Sequence, residues 1–456
     1  RAESAAEEAL GLTALRMACL ATRRDALQAL AAVLQEADAT TVMRAPDMLD
    51  ALPPLTSCED TGVLASGPLP PPPALSTEVE TIRGLLARAA VMSSAGKPQA
   101  ASEHADDALR RAQAIAYRPV HAEAMLRAAT SREEAGELDA AEAAAHDALV
   151  LALSSHHMVV AAEACHQLAS IAVVRSQPQP HAERWVALGR AALEQTSGTA
   201  PLVRAQLQNI LGTAQRRHGR IEESVETLHE ALAIFATHFG DDDFRLAPPL
   251  TNLGLSLARL GRHDEAGRHL ERARELFARK YGRSHLGYAS TLQNLGASYY
   301  MQGAYEHALD LYAESLTGVE AALGPHHPSV GVIAYSVASA LLMLGRYDEA
   351  LTMADRSHAI GKEAHGERSV SVANDWSLIG EIHTRAGSFD AAETALRHAL
   401  RTIEAAAPEE RRLHAFYRSQ LGTTLARAGL LEEGERLLTG ALEEQEALLG
   451  PTDEYV

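Results

Sequence analysis

The sequence predicts an all-α solenoid, a fold in which helical hairpins stack one on the next. Of its 456 residues, 46% are hydrophobic but only 4% are aromatic. The apolar residues are therefore mostly alanine, leucine and valine, and alanine and leucine favour helices, whereas strands recruit β-branched and aromatic residues. The chain is also too long for one hydrophobic core. Small residues recur every 42 positions, which favours a repeat array.

Small residues recur at three positions of each 42-residue unit. The first position holds Gly219, Gly261, Gly303, Gly345, Gly387 and Gly429. The second, seven residues earlier, holds Gly212, Gly254, Gly296, Ala338, Gly380 and Gly422. The third, five residues after the first, holds Ser224, Ala266, Ala308, Ala350, Ala392 and Gly434. This pattern predicts two antiparallel helices that cross closely, with a left-handed glycine in the turn between them.

Each predicted helix carries an apolar stripe that it cannot bury alone. Leu341, Leu344, Tyr347 and Leu351 show the helical spacing of such a stripe. Stacking of neighbouring hairpins buries these stripes on both sides, which makes each unit an element of a solenoid.

The repeated segments resemble the tetratricopeptide repeat. The resemblance rests on Asn252-Leu253-Gly254, Asn294-Leu295-Gly296 and the segment 344–351, Leu-Gly-Arg-Tyr-Asp-Glu-Ala-Leu. The connector 323–330, Leu-Gly-Pro-His-His-Pro-Ser-Val, is similar to that of the 42-residue variant in kinesin light chains. The resemblance implies a right-handed superhelix with six units over residues 199–456. Pro248 and Pro249 predict that one helix of this array begins late, because proline is tolerated only in a first helical turn.

Three more regions precede these units. Gly96 and Gly136 continue the pattern at a spacing of 40, which predicts three degenerate units over residues 78–198. Residues 53–77 are predicted to be a proline-rich linker in the polyproline II conformation. Residues 1–52 are predicted to form an N-terminal segment of two or three amphipathic helices, with Thr22 as a helix cap.

The N-terminal segment has a resemblance of its own. Residues 15–20, Leu-Arg-Met-Ala-Cys-Leu, together with 52–55, Leu-Pro-Pro-Leu, and Cys58 resemble the segment that precedes the repeats in large bacterial, myxobacterial-type serine/threonine kinases. This implies that the chain is the non-catalytic C-terminal region of such a kinase.

Charge and motifs exclude several functions. The net charge of −19 repels phosphate backbones and anionic lipids, so we expect no nucleic-acid partner. The sequence contains no run of about 18 apolar residues, so we expect no insertion into a membrane. No nucleotide-binding, hydrolase or kinase motif is present, so we expect no catalytic residue, no metal and no cofactor.

The cysteines and the connector histidines receive structural interpretations. Cys19, Cys58 and Cys165 are far apart, which predicts small buried residues and no disulfide. The connector histidines, such as His326 and His327, are interpreted as caps of helix starts or as packing on the next unit.

The leading helix of each unit is expected to line a concave groove. Its polar positions are predicted to bind the backbone of an extended peptide through carboxamides and hydroxyls. These positions hold Asn209, Thr251, Asn252, Gln293, Asn294, Tyr335 and Ser336. The resemblance assigns the clamp role to Asn252 and Asn294.

A basic row lies two residues before the turn glycine. It holds Arg217, Arg259, Arg385 and Arg427, with Tyr300 beside an apolar interruption of the row. A positive stripe attracts an acidic peptide. The alternative is that these arginines offset the dipoles of the helices they end, at about 0.3–1 kcal/mol each.

The sequence therefore predicts a protein-interaction module that binds an extended, acidic peptide or protein segment. The alternative function is a ligand-gated regulatory array, similar to the repeat domains of bacterial transcription activators and peptide-sensing regulators. The sequence leaves the oligomeric state open.

Overall fold

The described residues form helices joined by short connections, with no strand among them. The computed structural model describes residues 2–38, 41–42, 44–52, 55–59, 62, 64, 67–175, 177, 180–196, 200–283 and 285–449. The chain divides into two compact units, Arg1–Leu260 and Gly261–Val456. The architecture is an all-α helical repeat, as the sequence predicts.

Unit 1 is built from helices that pair in sequence. They are α1 (Ala2–Gln35), α2 (Ala45–Asp50), α3 (Ser76–Ser94), α4 (Pro98–Gln113), α5 (Arg118–Glu134), α6 (Leu138–Ser154), α7 (Met158–Val174), α8 (Pro180–Glu194), α9 (Pro201–Arg217), α10 (Ile221–Phe239) and α11 (Ala247–Arg259). Hairpins form from α3 and α4, α5 and α6, α7 and α8, and α9 and α10. Because α3, α5, α7, α9 and α11 also contact one another in order, we call them the leading helices of unit 1.

Unit 2 repeats this arrangement. Its helices are α12 (His263–Tyr281), α13 (Leu286–Met301), α14 (Tyr305–Leu323), α15 (Pro328–Met343), α16 (Tyr347–His365), α17 (Val370–Ala386), α18 (Phe389–Ala406), α19 (Arg411–Arg427) and α20 (Leu431–Leu449). The leading helices α13, α15, α17 and α19 each pair with the next helix along the chain, and consecutive leading helices contact one another.

The turns and helix crossings follow the predicted pattern of small residues. The six turn glycines have φ between +72° and +91°, which only glycine adopts without strain. A Cβ atom on Gly380 would lie 2.5 Å from Cγ of Leu396 on the paired helix. Ala350 and Ala392, at the third small position, are fully buried. The two helices of a hairpin therefore approach too closely for a large side chain at these points, and at Gly380 too closely for a Cβ atom.

Two local predictions about helix starts are confirmed. Helix α11 begins at Ala247, after a 3₁₀ turn over Phe244–Leu246, which is the late start that its prolines predict. Nδ1 of His327 accepts a hydrogen bond from the backbone N–H of Ser329 at 3.2 Å. His327 therefore caps the start of α15.

The predicted helix cap at Thr22 is wrong. Helix α1 runs unbroken from Ala2 to Gln35, and the Thr22 hydroxyl donates to the carbonyl of Ala18, one turn earlier, at 3.1 Å. A threonine that bonds back to its own helix is accommodated there, and the surrounding alanine and leucine residues favour continuation of the helix.

The prediction that no disulfide forms is also wrong. Cys19 and Cys58 are joined by a disulfide, with their Cα atoms 5.7 Å apart. The 3₁₀ turn Leu55–Cys58 contacts α1, which brings together two cysteines separated by 39 residues. Cys165 is the buried free thiol that the sequence predicts, and burial raises its pKa to about 12.

The predicted linker 53–77 and the ends of the predicted region 199–456 lie partly outside the described residues. No helix in the described ranges combines the length and the apolar character that a bilayer span requires. No cluster of three or more metal-ligating side chains is found in that same part of the chain.

Candidate functional site

Neighbouring leading helices lie side by side, so that a residue on one faces the residue about 43 positions later on the next. In unit 1, Nδ2 of Asn252 donates to Oδ1 of Asn209 at 3.0 Å. Both side chains are half-buried. We call these two residues the amide pair. After this bond, Oδ1 of Asn252 and the amide N–H groups of Asn209 still have acceptor and donor capacity for a peptide backbone.

The two arginines predicted on unit 1 bind the ends of the preceding leading helices. Nη1 of Arg217 donates to the carbonyl of Val173 at 2.6 Å, and Nη1 of Arg259 donates to the carbonyl of Arg216 at 3.0 Å. Val173 and Arg216 lie in the last turns of α7 and α9, where carbonyl groups lack helical partners. The contacts thus offset the dipoles of the preceding leading helices, whereas the sequence interpretation concerned the dipole of each arginine's own helix.

These contacts also bring three guanidinium groups close to one another. Burial and the charges of Arg259 and Arg217 lower the pKa of Arg216 to about 10. Nε of Arg216 is buried and has no hydrogen-bond partner among the described residues. We call Arg216, Arg217 and Arg259 the arginine cluster. The sequence interpretation missed Arg216, although it stands directly beside a predicted residue.

The remaining predicted residue of unit 1 is turned toward its own helix. The hydroxyl of Thr251 donates to the carbonyl of Ala247 at 2.9 Å. At a rise of 1.5 Å per residue, the amide pair lies about 10–12 Å from the arginine cluster along each helix. Carboxamide groups and guanidinium groups thus lie at two levels of the same leading helices.

In unit 2 the predicted residues fall into different surroundings. Gln293 and Asn294 lie half-buried in the middle of α13. The ring of Tyr300 packs edge-on against Tyr305, with centroids 5.3 Å apart. The hydroxyl of Ser336 donates to the carbonyl of Val332 at 3.2 Å, within its own helix.

The arginines of unit 2 line a cavity of about 540 Å³. A guanidinium nitrogen of Arg385 lies 3.0 Å from a carboxylate oxygen of Glu381. Arg427 is exposed and lies beside Gln420, which accepts a hydrogen bond from Ser377. Because Glu381 neutralises Arg385, this site is much less positive than the arginine cluster.

Tyr335 lines a second cavity of unit 2, together with Ser336 and Asp375. Burial, followed by the charges of Asp375 and Glu381, raises the pKa of Tyr335 to about 12. The sequence interpretation missed Asp375. Its signal is a carboxylate at a core position of a leading helix, between the buried residues Val372 and Leu378.

Comparisons with known proteins agree with the repeat architecture. The tetratricopeptide repeat family model matches residues 245–321 and 329–405. No curated protein matches the chain.

Solved structures resemble the chain at low sequence identity. A Rap protein complexed with competence and sporulation factor is 14% identical with a TM-score of 0.58, covering 81% of this chain and 99% of that one. Aspartyl phosphate phosphatase F from Bacillus subtilis is 12% identical with a TM-score of 0.53, covering 86% and 99%. A putative kinesin light chain from Podosopora anserina is 19% identical with a TM-score of 0.40, covering 45% and 97%. The first two likenesses concern the fold alone.

Proposed function

We propose that this chain is a protein-interaction module that binds an extended, acidic segment of a partner protein or peptide on the leading helices of unit 1. The observation that carries the proposal is the arginine cluster. Nη1 of Arg259 lies 3.0 Å from the backbone carbonyl of Arg216, and burial, followed by the charges of Arg259 and Arg217, lowers the pKa of Arg216. A bound carboxylate relieves this repulsion and forms charge-assisted hydrogen bonds with the arginines.

The amide pair supplies the second half of the recognition. A peptide in extended conformation offers one N–H and one C=O per residue, whatever its side chains. The carboxamides of Asn209 and Asn252 bind such groups, and they are held in place by their mutual hydrogen bond. In unit 2, Asn294 is proposed to act in the same way. The acidic preference belongs to unit 1, because Glu381 neutralises Arg385 in unit 2.

The arginines also bind backbone carbonyls, and this dual use fits the proposal. Each guanidinium has five N–H donors, and each contact to a helix end uses a single nitrogen. A carbonyl contact holds the side chain in one orientation, which lowers the entropy lost when a carboxylate binds.

A regulatory array that senses a peptide is the second candidate. It is favoured by the likeness in fold to a Rap protein whose structure contains competence and sporulation factor. If the chain has this second function, a peptide effector binds the same leading helices and changes how the hairpins pack.

We also propose that the parent protein is a bacterial serine/threonine kinase of which this chain is a non-catalytic recruitment region. Support for the kinase setting is the similarity of residues 15–20 and Cys58 to the segment before the repeats in such kinases.

A peptide array tests the binding role. The full chain is applied to immobilised 15-residue peptides of graded acidity at several salt concentrations. We expect acidic peptides to be retained, and Arg217→Gln with Arg259→Gln to weaken retention and flatten its dependence on salt. Arg385→Gln is the matched control, because its charge is already paired, and it should leave the preference intact.

The amide residues have a separate test. We expect Asn252→Ala with Asn294→Ala to abolish peptide retention while the helical circular dichroism signal and the melting temperature stay unchanged.

In the peptide array, retention that does not depend on peptide acidity would remove the arginine cluster from the proposal. Equal retention by the double arginine variant and by the Arg385→Gln control would do the same.

A further inference from the structure

A cavity of about 320 Å³ lies in unit 2 where α15, α16 and α17 meet. Its rim includes Pro328 and Val332, and its floor includes Asp375. Asp375 is only 2% exposed. The cavity thus extends from the exposed Val332, and from polar residues that include the exposed Ser371, to a buried carboxylate.

The two carboxylate oxygens of Asp375 have different surroundings. Oδ1 accepts a hydrogen bond from the hydroxyl of Ser357 at 2.7 Å. Oδ2 is buried and has no hydrogen-bond partner among the described residues. An unpaired buried carboxylate oxygen is costly, because water no longer solvates it and no donor replaces the water.

A glycine of α16 lies beside Oδ2. A Cβ atom on Gly361 would lie 3.1 Å from Oδ2 of Asp375 and 3.4 Å from the Ser371 hydroxyl oxygen. Both oxygens therefore border the same point on α16. Among the described residues, neither lysine nor arginine lines the cavity, and the titratable neighbours of Asp375 there are His365 and Tyr335.

The charge of Asp375 affects the pKa values of tyrosines on two neighbouring leading helices. It contributes to the raised pKa values of Tyr335 on α15 and Tyr417 on α19, for both of which burial is the larger cause. Burial also raises the pKa of Asp375 itself to about 6, although the Ser357 hydrogen bond acts in the opposite direction. The carboxylate is therefore largely ionised at neutral pH and lacks a counter-ion within its cavity.

We propose that this cavity binds an alkylammonium group, such as the side chain of a lysine in a bound segment. The ammonium donates to Oδ2 of Asp375 and to the hydroxyl of Ser371, and the aliphatic stem lies along Pro328 and Val332. An ammonium fits better than a guanidinium, because a guanidinium binds a carboxylate through both oxygens and Oδ1 is already engaged by Ser357.

This site is independent of the acidic segment proposed for unit 1. It involves no residue of the arginine cluster or the amide pair, and it selects the opposite charge. If a single partner occupies both sites, that partner carries acidic residues in one part and a lysine in another.

The experiment measures binding of small amines to the full chain by chemical-shift titration. The probes are butylammonium, propylguanidinium and the uncharged isostere n-butanol. We expect butylammonium to bind more tightly than the other two, and Asp375→Asn to weaken its binding by about 10- to 100-fold, the effect of losing a hydrogen bond to a charged group. Glu381→Gln is the matched control, since that carboxylate lies outside the cavity and pairs with Arg385.

A second variant separates shape from charge. Gly361→Ala places a methyl group against Oδ2, so it should weaken butylammonium binding while Asp375 keeps its charge. Equal affinity for butylammonium and n-butanol, tighter binding of propylguanidinium, or binding that survives Asp375→Asn would each overturn the site. None of these outcomes alters the array result for acidic peptides, so the two proposals fail separately.

Discussion

Replacing Asp375 by asparagine should stabilise unit 2 at neutral and alkaline pH. Burial raises the pKa of Asp375 from its ordinary value of 3.8 to about 6. Each pKa unit corresponds to about 1.4 kcal/mol of differential interaction, so burying the ionised form costs about 3 kcal/mol. Asparagine keeps an acceptor for the Ser357 hydroxyl and carries no charge.

The sign of the pH dependence follows from the raised pKa. Below about pH 4 the carboxyl is protonated in the folded and the unfolded chain, and the cost is absent. Between pH 4 and 6 the unfolded state ionises first, and above pH 6 the full cost is present. The stability of the natural chain relative to Asp375→Asn should therefore fall by about 2–3 kcal/mol between pH 4 and pH 8.

Urea denaturation of both chains across this pH range, followed by circular dichroism, measures the difference. Subtracting the two curves removes the contributions of all other titratable groups that the variant leaves unchanged. A difference that does not vary with pH would refute the reasoning, because it would mean that Asp375 ionises in the folded chain as it does in the unfolded one.

Three further predictions concern the scaffold, and thermal or urea denaturation measures each. Gly380→Ala should lower the free energy of unfolding by about 1–3 kcal/mol, because the added methyl group meets the leucine of the paired helix. As the control, Gly267→Ala should raise the free energy of unfolding by about 0.5–1 kcal/mol, because nothing lies within 4 Å of the added atom. Equal effects of the two substitutions would contradict the close crossing of the helices. Cys19→Ser should destabilise unit 1 by up to about 4 kcal/mol, the loop-closure value for cysteines 39 residues apart, and no change on reduction would show that the link to Cys58 is not formed. His327→Ala should cost about 1 kcal/mol through loss of the helix cap, and His327→Asn should restore most of it.

The repeat architecture could be predicted because it depends on local constraints that leave a mark in the sequence. A left-handed turn requires glycine, and Gly345 and Gly387 have the expected positive φ. A close helix crossing requires a small residue, as at Gly380, where a Cβ atom would collide with the facing side chain.

Other features depend on contacts between distant segments, which no local pattern records. The disulfide forms because the chain after α2 returns to α1, and the spacing of the two cysteines gives no sign of this return. Thr22 is compatible with both a cap and a helix interior, and its neighbours favour the interior.

The candidate sites were predictable only in part for the same reason. The rows of amides and arginines follow from the repeat register, and the contact of Asn252 with Asn209 lies one residue from that register. Whether an arginine is neutralised depends on its neighbours, so Arg385 and Arg217 look alike in sequence although only Arg385 is paired with a carboxylate in the structure. The unpaired Oδ2 of Asp375 could not be predicted, because its surroundings are formed by three helices together.

Photo-crosslinking locates the bound partner directly. The most strongly retained acidic peptide of the array, carrying a photoreactive residue at its centre, is irradiated with the full chain, and the crosslinked residues are identified by mass spectrometry. The account predicts crosslinks on the leading helices α9 and α11, near the amide pair and the arginine cluster. Crosslinks confined to the paired helix α10 or to α1 would contradict it.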